Sequence, residues 1–507
     1  MKLYSTRDNS VSLDSKSAII KGLADDGGLF CPKYEDIIQN KFDIKNLLDL
    51  DYKKIAKIVF KTLLSDFSDE ELDICINSAY SNENFGKYSD NISPITKIGN
   101  DFLLELYHGP TSAFKDVALT ILPHFLTTAY NSSKSSSGNK TRVYILTATS
   151  GDTGKAALSG FKDVENVFIT VFYPTDGVSD MQKCQMQTSE GQNVSVVALK
   201  GDFDDCQKLV KEIYTDKKIK EICDKHNVVL SSANSINIGR LVPQIVYYIH
   251  SYVELVNKNI IKLYDKINFV VPTGNFGNIL AGYIAKLLGL PINKLICASN
   301  DNNVLTDFIN KGIYDRNRTL YKTISPSMDI LISSNLERLL YLLSGNNDKL
   351  IKNYMMDLKE KGMYTINADL LSKIKDTFVA EYANEHECKE MIKYAYENDG
   401  RLIDTHTAVA YACLKKYIDK SNQSSEKNII LSTASAYKFP KSVLSCIDPS
   451  DVSALNDFEC LDRLFQITKV PVPKNLSELK NKFKRFNTTF TFDESKSFVV
   501  DNIKNTF

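Results

Sequence analysis

The sequence predicts an α/β protein with parallel sheets, preceded by a mainly helical N-terminal part. From about residue 100 to residue 432, short apolar segments alternate with helical segments, a pattern typical of parallel strands joined by helical crossovers. Several apolar segments run directly into glycine-containing turns. The predicted strands are residues 102–106, 142–147, 167–172, 194–199, 228–231, 267–271, 295–299 and 429–432.

The helical segments are predicted from apolar side chains that recur with a period near 3.6 residues. In the N-terminal part, residues 53–64 follow this period, and Ser68 before three acidic residues predicts the start of another helix. Residues 131–139 are polar and rich in serine, which predicts a loop. Later helices are predicted over residues 117–128, where Pro123 interrupts the pattern, over 155–161, and from the second glycine turn to Leu288.

Length and composition restrict the class of protein. A chain of 507 residues predicts two to four domains. Lys plus Arg total 62, and Asp plus Glu also total 62. The sequence therefore lacks the basic excess that would indicate a nucleic-acid or membrane partner. The ten cysteines form no C-x-x-C pair and the six histidines form no zinc-binding spacing, so we expect reduced thiols and no metal. With no apolar leader and no long apolar run, the expected location is the cytoplasm.

Two glycine turns are candidate anion sites, because free backbone N–H groups at a helix N-terminus bind anions. Residues 147–156 read Thr-Ala-Thr-Ser-Gly-Asp-Thr-Gly-Lys-Ala. A nucleotide P-loop would need glycine at Thr149 and a hydroxyl residue at Ala156, so that interpretation fails. A carboxylate or phosphate site and a plain strand-to-helix connection stay equally open here. Residues 271–278, Val-Pro-Thr-Gly-Asn-Phe-Gly-Asn, are a better anion cradle, since no charged side chain competes.

Lys115 is the candidate nucleophile. It lies in His108-Gly-Pro-Thr-Ser-Ala-Phe-Lys-Asp116, where its neighbours are mostly small or apolar. A desolvated lysine has a depressed pKa and forms imines readily. On this segment alone, a surface lysine beside Asp116 is the better interpretation. The two anion turns reverse that order, because an aldehyde cofactor needs a lysine, a phosphate cradle and a substrate carboxylate site together.

These segments resemble threonine synthase, in the longer form with an N-terminal extension found in bacteria and fungi. The similarity runs in family order from residue 3 to about residue 440. Besides the segments quoted above, it covers residues 3–7, 22–30, Asn234-Ser-Ile-Asn-Ile-Gly-Arg240, Asp404-Thr-His-Thr-Ala408 and Ser432-Thr-Ala-Ser-Ala-Tyr-Lys-Phe439. Each motif alone recurs in related pyridoxal enzymes, whereas the joint set is specific.

The resemblance implies a role for each matching residue. Lys115 carries pyridoxal 5'-phosphate as a Schiff base and moves protons. The implied cofactor-binding residues are Lys115, Gly274, Asn275, Phe276, Gly277, Asn278, Thr433 and Asp152. The implied substrate-binding residues are Ser150, Gly151, Thr153, Asn234, Arg240 and Asn278. Within these sets, residues 274–277 cradle the cofactor phosphate and Thr433 faces the pyridine nitrogen. Arg240, Asn234 and Asn278 hold the substrate phosphate, and no metal is implied.

Three positions depart from the family pattern. Ser435 and Ala436 stand where the family usually has histidine and proline, and Thr405 stands where proline is usual. The neighbouring His406 is kept, and a packing role and a functional role are both open for it.

The resemblance also implies the architecture and the reaction. The fold would be fold type II of the pyridoxal-phosphate enzymes, with residues 1–95 as an N-terminal domain and 96–130 plus 262–445 as the large domain. Residues 131–261 would form a small mobile α/β domain and 446–507 a C-terminal extension. The substrate would be O-phospho-L-homoserine, the products L-threonine and phosphate, and the protein a monomer or homodimer. A phospholyase that releases 2-oxobutyrate and a non-catalytic anion binder are the alternatives.

Overall fold

The computed structural model describes residues 1–132, 142–149, 151–175, 178–421, 426–448 and 450–506. The predicted α/β class with parallel sheets is confirmed, since two mainly parallel sheets make up its frame. Most of the predicted serine-rich loop, residues 133–139, lies outside the described part of the chain.

The larger sheet has six strands. Two of its buried central strands lead into predicted site residues, one into the 274–278 turn and the other into Thr433. Five strands are parallel and the edge strand Ile95–Ile98 is antiparallel to its neighbour. This is the arrangement expected when helices cover both faces of a sheet. In spatial order the strands are Phe378–Tyr382, Ile292–Ser299, Ile267–Pro272, Asn428–Ser432, Asp101–Glu105 and Ile95–Ile98.

The smaller sheet has five parallel strands and includes one from the C-terminal extension. In spatial order they are Thr489–Phe490, Val194–Leu199, Val167–Pro174, Arg142–Ala148 and Val228–Ser231. Since Thr489–Phe490 pairs with Val194–Leu199, the last residues of the chain complete an edge of this sheet.

Two small antiparallel sheets complete the strand pairing of the described residues. One lies in the N-terminal part and comprises Asp8–Leu13, Leu3–Ser5 and Phe30–Cys31. The other pairs Ile313–Asp315 with Met363–Thr365. These strands are either only two or three residues long or, in Asp8–Leu13, mostly polar, so they lack the hydrophobic pattern by which strands are recognised from sequence.

The helices surround these sheets. The N-terminal part contains Ser15–Lys21, Tyr34–Gln39, Tyr52–Leu63, Asp69–Ala79 and Asn82–Phe85, and Asp116–Leu119 and Leu122–Ser132 follow Lys115. Around the smaller sheet lie Asp152–Gly160, Asp180–Gln187, Phe203–Thr215 and Lys217–Lys225. Later helices are Ile238–Asn257, Gly277–Leu287, Val304–Lys311, Leu336–Leu343, Asp348–Glu360, Ala368–Thr377, Glu385–Asp399, Thr405–Ser421, Pro440–Ile447, Asp457–Thr468, Lys474–Ser477 and Phe492–Thr506. Short 3₁₀ helices are Ile44–Leu47, Gly86–Tyr88, Pro326–Met328, Ala436–Lys438 and Glu478–Asn481.

Local sequence signals explain several of these boundaries. Ser68 forms a full capping box with Glu71 at the start of Asp69–Ala79, as its sequence predicts. Pro123 stands at the second position of Leu122–Ser132, where its missing N–H costs little. The predicted helix 117–128 is therefore two helices, Asp116–Leu119 and Leu122–Ser132.

Helix Ile238–Asn257 is the main contact between the N-terminal helices and the rest of the core. It packs against Tyr52–Leu63 and against Gly277–Leu287. The predicted small domain, which ends at residue 261, includes this helix. Tyr52 stacks edge-on against His250 of this helix, with ring centroids 5.2 Å apart. Arg240 lies in the first turn of the same helix. The N-terminal part therefore supports the helix that carries this candidate site residue. The predicted domain boundaries stay a proposal.

The described residues contain no helix that is both long enough and apolar enough to cross a membrane. Within the same residues, no three side chains of the metal-binding types converge on one point.

We predict that Gly160→Ala destabilises the fold near Lys115. A Cβ at Gly160 would lie 2.0 Å from the Leu119 carbonyl oxygen, so helix Asp152–Gly160 would have to move away from Asp116–Leu119. Overpacking of this kind costs about 1–3 kcal/mol, which urea unfolding measures as a lower midpoint. Ser159→Ala is the matched control and should change the stability by less than about 0.5 kcal/mol. Equal midpoints for the two variants would contradict the prediction.

Candidate active site

The loop that carries Lys115 is held by the carboxylate of Asp116. That buried carboxylate accepts hydrogen bonds from the Thr111 backbone N–H at 2.8 Å and the Thr111 hydroxyl at 2.6 Å. Gly109 is required because a Cβ there would lie 2.4 Å from the Asp116 Cβ. Burial raises the pKa of Asp116, and its hydrogen bonds to Thr111 oppose that rise. The neighbour that made Lys115 look like a surface residue is therefore a buried clamp.

The loop is also paired to the late motif at the end of strand Asn428–Ser432. The Phe114 N–H donates to the Thr433 carbonyl oxygen at 2.8 Å, and the Ser435 N–H donates to the Ser112 carbonyl oxygen at 3.1 Å. Ser435, which departs from the family pattern, accepts a hydrogen bond from the Tyr437 N–H and caps the 3₁₀ helix Ala436–Lys438. These backbone bonds bring Thr433 next to Lys115.

The Lys115 ammonium lies in a nearly closed pocket, with 11% of its side-chain surface exposed. Its Nζ is 3.5 Å from the Ser327 hydroxyl and 4.0 Å from Asp152 Oδ2. Burial lowers the pKa of Lys115 to about 8, which the negative charge of Asp152 partly opposes. A useful fraction of Lys115 is thus a neutral amine near pH 7, as a nucleophile or base requires.

Asp152 opens helix Asp152–Gly160 and lies between two ammonium groups. Its Oδ1 accepts hydrogen bonds from the Gln182 amide at 2.7 Å and pairs with Lys438 Nζ at 2.7 Å. Although burial opposes its ionisation, Lys438 and Lys115 hold the pKa of Asp152 well below its usual range. Gly151 precedes it with a φ of 141°, and a Cβ there would lie 2.5 Å from the Gln182 side chain. Thr153 is half-buried in the first turn of the helix, and Ser150 lies outside the described residues.

The turn over residues 274–278 leaves its backbone donors free. Helix Gly277–Leu287 begins without a side-chain cap, and Phe276 before it adopts a left-handed φ of 60°. Among the described residues, no acceptor bonds the N–H groups from Gly274 to Asn278. The Gly274 and Asn275 carbonyls, by contrast, accept from Ser333 and Asn335 and point away. A Cβ at Gly274 would lie 2.6 Å from the Ser327 carbonyl oxygen, so the turn requires glycine.

Arg240 is a buried cation with unused hydrogen-bond donors. Only 3% of it is exposed, its NH1 donates to the Ala233 carbonyl at 2.8 Å, and its Nε has no partner among the described residues. Burial lowers the pKa of Arg240 to about 10. Arg338, equally buried, donates instead to the Phe30 and Ile236 carbonyls and to Asn335. The buried Arg240 guanidinium, with an unused donor, is therefore suited to bind an anion.

Two asparagines also keep buried polar atoms without partners. Asn278 Oδ1 accepts from the hydroxyls of Tyr247 and Tyr248, and its Nδ2 has no partner in the described residues. Asn234 donates to the Ala148 carbonyl at 3.2 Å, and its Oδ1 is likewise unpartnered. Since Tyr247 and Tyr248 lie on the Arg240 helix, they join that helix to the 274–278 turn.

Three side chains at the site were not identified from sequence. Ser327 and Gln182 contact Lys115 or Asp152 from distant segments that no motif singled out. Lys438 lies in the quoted 432–439 motif, but that motif does not indicate its contact with Asp152. His406 has a structural partner on each side: its Nδ1 donates to Asp404 at 2.8 Å and its Nε2 accepts from the Ser327 N–H at 3.2 Å. His406 therefore holds the backbone of the Ser327 turn.

The residues present fit a phosphorylated aldehyde cofactor. The five free N–H groups of the 274–278 turn match a phosphate, the partly neutral Lys115 amine matches a carbonyl carbon, and the unpartnered donors at Arg240 and Asn278 match a second anion.

Comparisons with known proteins agree with this geometry. Three family models match: threonine synthase N terminus over residues 2–80, pyridoxal-phosphate dependent enzyme over 89–433, and threonine synthase C-terminal over 407–499. The chain belongs to the threonine synthase family of pyridoxal-phosphate-dependent enzymes.

Individual relatives give the extent of the similarity. Threonine synthase from Saccharomyces cerevisiae is 36% identical over 95% of this chain and 94% of its own length. Human threonine synthase-like 1 is 39% identical over 86% of this chain, which spans only 58% of that longer relative. The crystal structure of pyridoxal-phosphate-bound threonine synthase from Brucella melitensis superposes with a TM-score of 0.84 at 32% identity, covering 99% of this chain and 100% of that one.

We predict that replacing Lys115 stabilises the cofactor-free protein below pH 8. The pKa of Lys115 is about 8 in the folded protein and 10.5 for an unperturbed lysine in the unfolded chain. Between pH 8 and pH 10.5, Lys115 is protonated in the unfolded chain and mostly neutral in the folded protein. The free-energy penalty of burying its ammonium is therefore complete below pH 8 and disappears towards pH 10.5.

Urea unfolding of Lys115→Met and the wild type should therefore differ by up to about 3 kcal/mol at pH 7, in favour of the variant. The difference should shrink as the pH rises. The exposed Lys352→Met is the control, with no such pH-dependent gap. A gap at Lys115 that is constant from pH 7 to 10 would contradict the assigned pKa.

Proposed function

We propose that this protein is a threonine synthase that uses pyridoxal 5'-phosphate. As a carbon–oxygen lyase, it would remove phosphate from O-phospho-L-homoserine by γ-elimination and add water at the β-carbon, giving L-threonine. One observation carries the proposal: the site of the partly neutral Lys115 amine also holds two groups of unused anion donors, the backbone N–H groups of the 274–278 turn and the side chains of Arg240 and Asn278. A cofactor and a substrate that each bear a phosphate need such a pair.

The chain's own residues would share the work as follows. The N–H groups of residues 274–278 bind the cofactor phosphate, and Thr433 offers a neutral hydroxyl to the ring nitrogen. When bound, the cofactor withdraws electrons from the carbon next to the substrate amine, which makes its protons acidic. Lys115 Nζ accepts and returns protons there, because its lowered pKa lets it exchange them near neutral pH.

The substrate would be oriented at its two anionic ends. Arg240, Asn234 and Asn278 bind its phosphate, which becomes the leaving group, and Gly151 and Thr153 with Ser150 bind its carboxylate. A planar guanidinium offers a phosphate two parallel hydrogen bonds. Burial of this pocket excludes bulk water and strengthens these interactions.

We predict that the cofactor-loaded enzyme converts O-phospho-L-homoserine into equimolar phosphate and L-threonine. Lys115→Ala should reduce both products below detection, because it lacks the amine that moves the protons. Lys155→Ala, on helix Asp152–Gly160 and bonded to Ser189, is the control and should retain turnover.

The products distinguish the alternatives. Phosphate with 2-oxobutyrate and no threonine would favour the phospholyase. Binding of O-phospho-L-homoserine without release of phosphate would favour the non-catalytic binder.

We predict that Arg240→Met raises KM for O-phospho-L-homoserine without destabilising the substrate-free protein. Loss of a charge-assisted phosphate contact costs about 2–5 kcal/mol of binding, whereas removal of an unpaired buried cation costs the fold little. Arg338→Met is the contrasting control, since the hydrogen bonds of Arg338 are satisfied by the protein itself and its loss should lower the unfolding midpoint. An unchanged KM in Arg240→Met would place the phosphate contact elsewhere.

A further inference from the structure

Lys438 is a fully buried lysine at the junction of the two parallel sheets. It ends the 3₁₀ helix Ala436–Lys438, and none of its surface is exposed. Its Nζ lies 2.7 Å from Asp152 Oδ1 and donates to the Thr111 carbonyl oxygen at 3.0 Å. Burying an ammonium is costly unless it is paired and hydrogen-bonded, and these two partners provide both.

The two oxygens of Asp152 have different partners. Oδ1 takes Lys438 and the Gln182 amide, whereas Oδ2 faces the Ser327 hydroxyl at 3.5 Å and Lys115 Nζ at 4.0 Å. The distance from Asp152 Oδ1 to Lys438 Nζ, 2.7 Å, is thus 1.3 Å shorter than the distance from Asp152 Oδ2 to Lys115 Nζ, 4.0 Å. The carboxylate is held by one lysine and leaves the other without a close ion pair.

We infer that Lys438 is a positioning residue: it holds Asp152 away from Lys115, so that the Lys115 amine stays free to react, and it ties helix Asp152–Gly160 to the Lys115 loop. The importance for turnover rests on the function proposed above, whereas the effect on the charge of Lys115 does not.

The charges around Lys115 determine what removal of Lys438 does. Asp152 and Asp116 favour the Lys115 ammonium, while burial, Arg240 and Lys438 disfavour it and bring the pKa to about 8. Without the charge of Lys438, Asp152 would be left with Lys115 as its nearest cation. Both changes act in the same direction and raise the pKa of Lys115 towards 10.5.

The test measures the titration of Lys115 in the cofactor-free protein. Competitive labelling with acetic anhydride from pH 6 to 11, followed by peptide mass spectrometry, gives the midpoint for this lysine. The wild type should titrate near 8. Lys438→Gln, which keeps a hydrogen-bond donor and removes the charge, should raise the midpoint by about one unit or more, which is roughly tenfold less labelling at pH 7.

Two controls separate the charge of Lys438 from general effects. Lys438→Arg restores the charge and should return the midpoint towards the wild-type value. Lys155→Gln removes a half-buried lysine of helix Asp152–Gly160, one that bonds Ser189 and not Asp152, and should leave the Lys115 midpoint unchanged. An unchanged midpoint in folded Lys438→Gln, or an equal rise in Lys155→Gln, would overturn the inference.

Asp152→Asn provides a second route if Lys438→Gln does not fold. Loss of the carboxylate should lower the Lys115 midpoint below that of the wild type. The double variant Lys438→Gln with Asp152→Asn lacks both charges of the Lys438–Asp152 pair and should titrate higher than Asp152→Asn alone; equal midpoints would overturn the inference. A protein that shows these shifts but makes no threonine would refute the proposed function and leave the role of Lys438 standing.

Discussion

The buried pair of Asp152 and Lys438 joins the two parallel sheets beside Lys115. Asp152 begins a helix that packs on the smaller sheet, and Lys438 follows a central strand of the larger one. Both are removed from water, so neither charge is tolerated without the other. The position of helix Asp152–Gly160 relative to the Lys115 loop therefore depends on an electrostatic contact as well as on packing.

The site around this pair holds more positive than negative charge. Lys115, Lys438 and Arg240 lie there with two carboxylates, Asp152 and Asp116. Such an excess is unfavourable in a closed pocket unless anions enter it. The unused N–H groups of residues 274–278 and the free Nε of Arg240 indicate the same ligand chemistry from hydrogen bonding. Charge and hydrogen bonding thus agree on anionic ligands.

Residues in strong local patterns could be predicted well. The strands Val194–Leu199 and Val228–Ser231 have the predicted bounds, and the Ser68 cap forms as its sequence indicates, because apolar runs and caps act over a few residues. Strand Phe378–Tyr382, the N-terminal three-stranded sheet and strand Thr489–Phe490 were missed. Phe378–Tyr382 and Thr489–Phe490 are stabilised by partners far away in the chain, which no local pattern encodes, and the N-terminal strands lack a clear apolar alternation.

The sequence by itself determined the family, and it predicted that Lys115, the glycine turns and Arg240 act as one chemical set, because their order and residue types follow a family that needs all of them. Only the tertiary structure decided how that set is held. Asp116 is a buried clamp, His406 supports the Ser327 turn, and Lys438 pairs with Asp152. Each of these contacts joins segments whose meeting depends on the packing of two sheets, and the pKa of Lys115 follows from that packing, since burial and neighbouring charge are properties of the folded chain.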